Sequence, residues 1–246
     1  MEVKKRFYLI DAIRAVAVIS MVAFHFSYDV FMVYGVNTDW YRSLYIRIWQ
    51  QSICWTFIFI SGFVWKLGKK KFLKRGLFIK LCGMIISVVT LIVEPSEVIW
   101  FGVLTFIGMA ILIMYPVEKV ANKIQPVAGF IVSFVFFLLF KNIQDGYLGI
   151  GNWRLELPRT LYDIKVLMPI GLPSDDFASS DYFPVIPWFF LYLCGYFASE
   201  FVLKSEKIKK LLSVKIPVLS FVGTKAIWIY MLHQPICMLI CMVIFS

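Results

Sequence analysis

The stretch Leu9–Asp29 reads LIDAIRAVAVISMVAFHFSYD, and its reading decides the fold. Its twenty-one residues are apolar enough to span a bilayer, yet they carry Asp11, Arg14, His25 and Asp29. Ionisable groups at membrane depth are costly, so they normally face a protein interior or a water-filled cavity and mark function. An eleven-residue step in a helix is close to three full turns, so Arg14 and His25 project from nearly one face, about 16 Å apart along the axis. Asp11 and Asp29 lie three and four residues outside them, which makes each an i, i+3 or i, i+4 neighbour of opposite charge potential. A polar line is therefore expected along one face of the first helix.

The rest of the chain agrees with a membrane solvent. Of its 246 residues, 61% are hydrophobic, 18% aromatic and only 16% charged, and the mean hydropathy is +0.81. Those values exclude an ordinary soluble domain. The first apolar stretch is long, charged and lacks a small-residue cleavage site, so it is expected to remain as a span. The net charge of +10 comes from basic runs beside apolar segments, which is the pattern of membrane orientation and not of nucleic-acid binding. Cys54, Cys82, Cys194, Cys237 and Cys241 all fall in apolar stretches without a C-x-x-C pair, and read as packing residues.

Taken in order, the chain predicts an all-α bundle of about seven spans, read as one domain over 1–246 with its N-terminus cytoplasmic. Lys4, Lys5 and Arg6 precede the first span, which runs outward. The second, about Ile48–Leu67, ends at the basic run Lys69–Arg75, the best orientation marker in the chain. The third covers Gly76–Val93, a turn falls at Glu94-Pro95-Ser96-Glu97, and the fourth returns as Val98–Tyr115. Pro126–Phe140 is a short fifth span. Lys141–Ser180 is a long outer loop, functional or disordered. The sixth covers Phe183–Val202 and the last Leu219–Phe245. Sixteen of the 25 Lys and Arg residues then fall in or beside inner segments and six outside, as the positive-inside rule requires. No inverted repeat of the transporter kind is visible.

The candidate chemistry is concentrated in few residues. His25 and His233 are the only histidines, both in predicted spans. Histidine exchanges a proton near neutral pH, and Asp29 would orient His25 and stabilise its protonated form, so general-base chemistry is expected of His25. The bland alternative makes each histidine an interhelical hydrogen-bond partner. Arg14 either pairs with Asp11 and snorkels or grips the phosphates of an anionic ligand. Asp181, at the start of the sixth span, is a candidate acid or substrate-binding group, with Trp188 beside it as a substrate contact or an interfacial anchor. No metal-ligand cluster, phosphate-cradling glycine loop or nucleophile elbow is present.

Four motifs in order, Asp11-Ala-Ile-Arg14 through Phe24-His-Phe-Ser-Tyr-Asp29, Phe59-Ile-Ser-Gly62, Asp181-Tyr-Phe-Pro-Val-Ile-Pro-Trp188 and Tyr230-Met-Leu-His-Gln-Pro235, carry a resemblance. Together they resemble the bacterial branch of the heparan-alpha-glucosaminide N-acetyltransferase catalytic-domain family. The Arg14-x10-His25 spacing is also similar to that of acyltransferase-3 type membrane enzymes. The resemblance implies acetyl-CoA as a cytoplasmic donor and a saccharide amine or hydroxyl as an outer acceptor, in the plasma membrane. It places Arg14, His25, His233 and Asp181 at family motif positions. Where the bacterial branch commonly has Gly-Ile-Leu-His, this chain has Gly102-Val-Leu-Thr105.

These observations predict a membrane acyltransferase in which His25, Asp29 and His233 are catalytic, Arg14 holds acetyl-CoA, and Asp181 and Trp188 meet the acceptor. Direct transfer is expected, because no nucleophile is evident. No metal and no nucleic-acid partner are expected, the lipid bilayer is a partner throughout, and a homo-oligomer stays open. The competing reading is a proton-linked transporter that uses Arg14, His25 and Asp29 as a relay.

Overall fold

A computed structural model of the chain describes residues 6–245. The chain is 75% helical. Its helices are α1 (Tyr8–Tyr28), α2 (Thr38–Tyr41), α3 (Leu44–Phe63), α4 (Trp65–Gly68), α5 (Phe72–Val93), α6 (Val103–Ala121), α7 (Pro126–Phe140), α8 (Val185–Val202), α9 (Glu206–Leu212), α10 (Pro217–Thr224) and α11 (Ala226–Phe245). One antiparallel hairpin, β1 (Tyr147–Ile150) and β2 (Trp153–Glu156), lies between α7 and α8. Six helical segments among the described residues are long and apolar enough to cross a membrane. They are 8–33, 65–93, 103–121, 126–145, 185–202 and 226–245. This is an all-α integral membrane protein. The helix α3, where a further span is expected, has 20 residues but is diluted by Arg47, Gln50, Gln51 and Ser52.

The chain divides into two compact units, residues 1–57 with 202–246, and residues 58–201. In the first, α1 packs on α10 and α11. The close approach is set at Gly223, where a Cβ would stand 1.8 Å from the Asp11 carbonyl oxygen. Small residues admit such contacts where lipid tails give helices no hydrophobic reason to associate. Ser220 Oγ donates to the Tyr8 carbonyl at 3.2 Å on the same seam. Above it Val18, Met21, Phe24, Ile46, Ile53 and Ala226 form the core. The last helix is shorter than its sequence suggests because the chain breaks at Lys225, leaving α10 and α11 separate.

In the second unit α5 and α6 form a long hairpin. Helix α6 starts and ends later than the sequence predicts, at Val103 and Ala121, and runs through Pro116. Residues 98–101 are held outside it: the Val98 and Phe101 carbonyls accept from Ser180 and Phe183 N–H groups at 3.1 and 2.8 Å. The basic run after α3 is not a free loop. Lys66 pairs with Glu200 at 2.5 Å and Lys69 with Glu118 at 2.6 Å. Glu118 is 3% exposed, and a carboxylate buried that far requires a counter-ion. Thr105 stands where a Gly83 Cβ would meet its Oγ1 at 2.4 Å. The α5–α6 crossing therefore leaves no room for a side chain at 83.

The stretch 141–180 is ordered around Ile143, Tyr162 and Leu172. The Tyr162 hydroxyl donates to the Ile143 carbonyl, and the Leu157 N–H to the Gly146 carbonyl at 2.9 Å. Gly151 (φ +61°) opens the two-residue turn between β1 and β2, the position where a type II′ turn calls for glycine.

Where α3 meets α8, Gly62 and Gly195 are reciprocal contacts. A Cβ at Gly62 would lie 1.9 Å from the Tyr192 carbonyl oxygen, and one at Gly195 would lie 2.0 Å from that of Phe59. Gly62→Val should separate the two backbones and cost about 1–3 kcal/mol, as overpacking does. Thermal unfolding of the purified protein in detergent should show a lowered midpoint, and an unchanged midpoint would refute the close contact.

Candidate functional site

The first unit brings three of the expected residues together. His25 on α1 and His233 on α11 have ring centroids 4.7 Å apart. Asp29 follows one turn after His25, where α1 widens into a single π-helical turn over Asp29–Val33. Such turns are frequent at functional sites. Asp29 is 1% exposed and accepts through Oδ1 from Gln234 Nε2 at 2.8 Å. The helical spacing pairs Asp29 with His25, but the hydrogen bond to Oδ1 comes from the facing helix. Gln234 is the residue that sequence reasoning passed over. Its signal was adjacency to His233, since a buried carboxylate needs a donor and α11 had only this amide to offer beside the histidine.

The tautomer of His233 follows from its contacts. Its Nδ1 lies 2.6 Å from the Tyr230 carbonyl oxygen, and a carbonyl can only accept, so Nδ1 carries the hydrogen. In neutral His233 the lone pair is then on Nε2. That atom, Asp29 Oδ2 and Gln234 Oε1 are buried without a hydrogen-bond partner among the described residues. All three can accept. Orphaned buried acceptors cost free energy, and the donors of a ligand or of ordered water satisfy them.

Arg14 lies towards the other end of α1. Its Nη1 donates to Asp11 Oδ1 at 2.7 Å, and Arg6 meets Asp11 Oδ2 at 2.9 Å. Two guanidinium groups on one carboxylate leave the cluster with net positive charge, and Arg14 keeps a side chain 26% exposed. Lys215 lies over the Tyr8 ring at 5.7 Å and Arg6 at 5.6 Å, which adds a further cation. The donor set suits an anionic group such as a phosphate.

Asp181 and Trp188 belong to the second unit. Asp181 Oδ2 accepts from the Val103 N–H at 3.2 Å and so caps the N-terminus of α6. Ser179 Oγ ties the same segment to Trp100, accepting from its N–H at 2.8 Å. Burial pushes the Asp181 carboxyl up to about 6, against the smaller opposing effect of the Val103 hydrogen bond. Trp188 is 8% exposed and packs between Phe137 and Phe183, at 5.6 and 4.7 Å. Its bulk is thus held in aromatic packing. No group of three or more His, Cys, Asp or Glu residues among those described is placed to hold a metal ion.

Fold and site together define a polytopic helical membrane protein with a histidine pair beside a buried carboxylate in one unit and a cationic cluster at the far end of the same helix. Comparison with protein families matches residues 6–235 to "Heparan-alpha-glucosaminide N-acetyltransferase, catalytic". The chain belongs to that family of membrane acetyltransferases. The match supports the transferase reading and lends nothing to the transporter alternative. Neither curated proteins nor solved structures gave a match.

Gln234→Leu should strip the donor from a buried carboxylate and cost about 1–3 kcal/mol. Adding Asp29→Leu should recover part of that loss, because both partners are then apolar. Unfolding midpoints of wild type, the two single variants and the double variant measure the coupling. For Asp181 the folded value lies above the unfolded one. Its penalty is absent at low pH and grows as pH rises from about 4 to about 6. Asp181→Asn should therefore raise stability above pH 6 by about 1–2 kcal/mol, discounted for partial exposure, and change little near pH 4. A pH-independent difference would contradict the burial of this carboxyl group.

Proposed function

We propose that the chain transfers an acetyl group from acetyl-CoA, bound from the cytoplasmic side, to an amine or hydroxyl of an extracytoplasmic saccharide at the plasma membrane. The observation that carries this reading is the His25–His233 pair with His233 Nδ1 committed to a carbonyl and Nε2 left with its lone pair. A base must offer such an atom to the proton it takes. In this reading His233 Nε2 accepts the proton of the acceptor as it attacks the thioester and passes it to the departing CoA thiolate, with the His25 ring lying tilted against it at 4.7 Å. Asp29, fixed by Gln234, offers Oδ2 to the same acceptor group. The thioester supplies an activated acyl carbon, so transfer is direct and needs no enzyme nucleophile. Arg14, in its net cationic cluster, holds the donor's phosphates.

Calorimetry with acetyl-CoA and a turnover assay over amino sugars and neutral saccharides test this on detergent-purified protein. Wild type should bind saturably and release CoA. Arg14→Ala should weaken binding with little change in fold. His233→Ala should keep binding and lose about 10²–10⁴ in turnover, the usual contribution of a general base. Well-folded wild type that neither binds acetyl-CoA nor releases CoA would overturn the proposal.

A further inference from the structure

The segment between α7 and α8 builds a small core of its own, and most of one face of its hairpin is left outside that core. Register places Ile150 across from Trp153 and Leu148 across from Leu155. Alternation along a strand then puts all four on one face and Arg154 and Glu156 on the other. Leu148 packs against Ile143, Tyr162 and Leu172. Ile150, Trp153 and Leu155 remain 48%, 60% and 53% exposed. On the opposite face the Arg154 guanidinium lies over the Tyr147 ring at 4.7 Å.

A two-stranded hairpin is marginal by itself, and this one is braced. Its base is joined to the small core, which also takes in Phe140 at the end of α7 and Ile186 at the start of α8. The same placement says what covers the apolar face. The strand β1 packs on α7, a helix apolar and long enough to cross a membrane, whose Ile131, Val132, Val135 and Phe136 are exposed. The hairpin thus stands where that helix leaves the membrane, and Trp153 is the residue type enriched at that depth. Charge argues against an acidic or basic macromolecule. Residues 141–180 hold four basic and five acidic side chains, with Arg159 near Asp175 and Lys165 near Asp176, at 3.8 and 3.9 Å.

We propose that the hairpin is an interfacial anchor whose occupant is the host bilayer: Ile150, Trp153 and Leu155 enter the boundary between headgroups and acyl chains, while Arg154 and Glu156 stay in water. Through the shared core the anchor fixes the ends of α7 and α8 against the membrane surface. Because apolar insertion drives it, zwitterionic lipid suffices and salt has little effect. The inference stands apart from the acyltransferase reading.

A nitroxide scan of the full chain tests it. Single cysteines at 150, 153, 154, 155 and 156, in a background with all five native cysteines replaced by Ala, are labelled in phosphatidylcholine nanodiscs. Accessibility to oxygen is then compared with accessibility to a water-soluble nickel complex. The oxygen-to-nickel ratio should be several-fold higher at 150, 153 and 155 than at 154 and 156, at low and high salt alike. High nickel access at all five positions would overturn the proposal, as would shielding of 150, 153 and 155 from both probes, the mark of a protein partner or a second copy. Brominated phosphatidylcholine gives a check without labels. Trp153→Phe should reduce the lipid-quenched share of tryptophan emission, and an unchanged share would also overturn it.

Discussion

A lipid interior has no water to satisfy a polar group, so each one must find a partner within the protein or remain a cost. The intramembrane polar residues of this chain are arranged by that constraint. Asp11 is shared between Arg6 and Arg14, Glu118 is matched by Lys69, and Asp29 takes its donor from Gln234. Among the buried acceptors without a hydrogen-bond partner in the described residues, those on Asp29, His233 and Gln234 stand out because they lie on adjacent or hydrogen-bonded residues, apart from those on Ser43 and Tyr192.

The two ends of α1 divide the chemistry. Near its start a carboxylate and two guanidinium groups favour an anion. Near its end the available atoms are acceptors, suited to the N–H or O–H of a nucleophile. About three helical turns between Arg14 and His25 keep these environments apart, on the order of 16 Å along the axis. The proposed transfer, from a donor on one membrane face to an acceptor on the other, would use that separation.

Much of this was legible in the chain. Helix α7 was found at Pro126–Phe140, because Pro126 suits the first helical turn and Gln125 caps it through a 2.6 Å bond to the Ala128 N–H. The intramembrane charges of Leu9–Asp29 marked α1 as the organising helix. Harder to read were features set by distant partners. Helix α6 begins at Val103 and not at Val98 because residues 98–101 bond to the 179–183 segment and Asp181 caps the shifted start. The long 141–180 stretch folds around Tyr162 because its apolar residues meet one another and the ends of α7 and α8, a pairing no local pattern announces.

The sequence by itself determined the solvent, since only a bilayer accommodates so apolar a chain, and it determined the few residues able to do chemistry there. Tertiary structure decided how they are used. His25 and His233 are 208 positions apart, and only the packing of α11 on α1 makes them ring neighbours. The same packing gives Asp29 to Gln234. Helical periodicity relates residues within one helix, whereas hydrogen-bond partners across helices follow from crossing position and depth. Small residues such as Gly223 set those, and no spacing within a single helix encodes them.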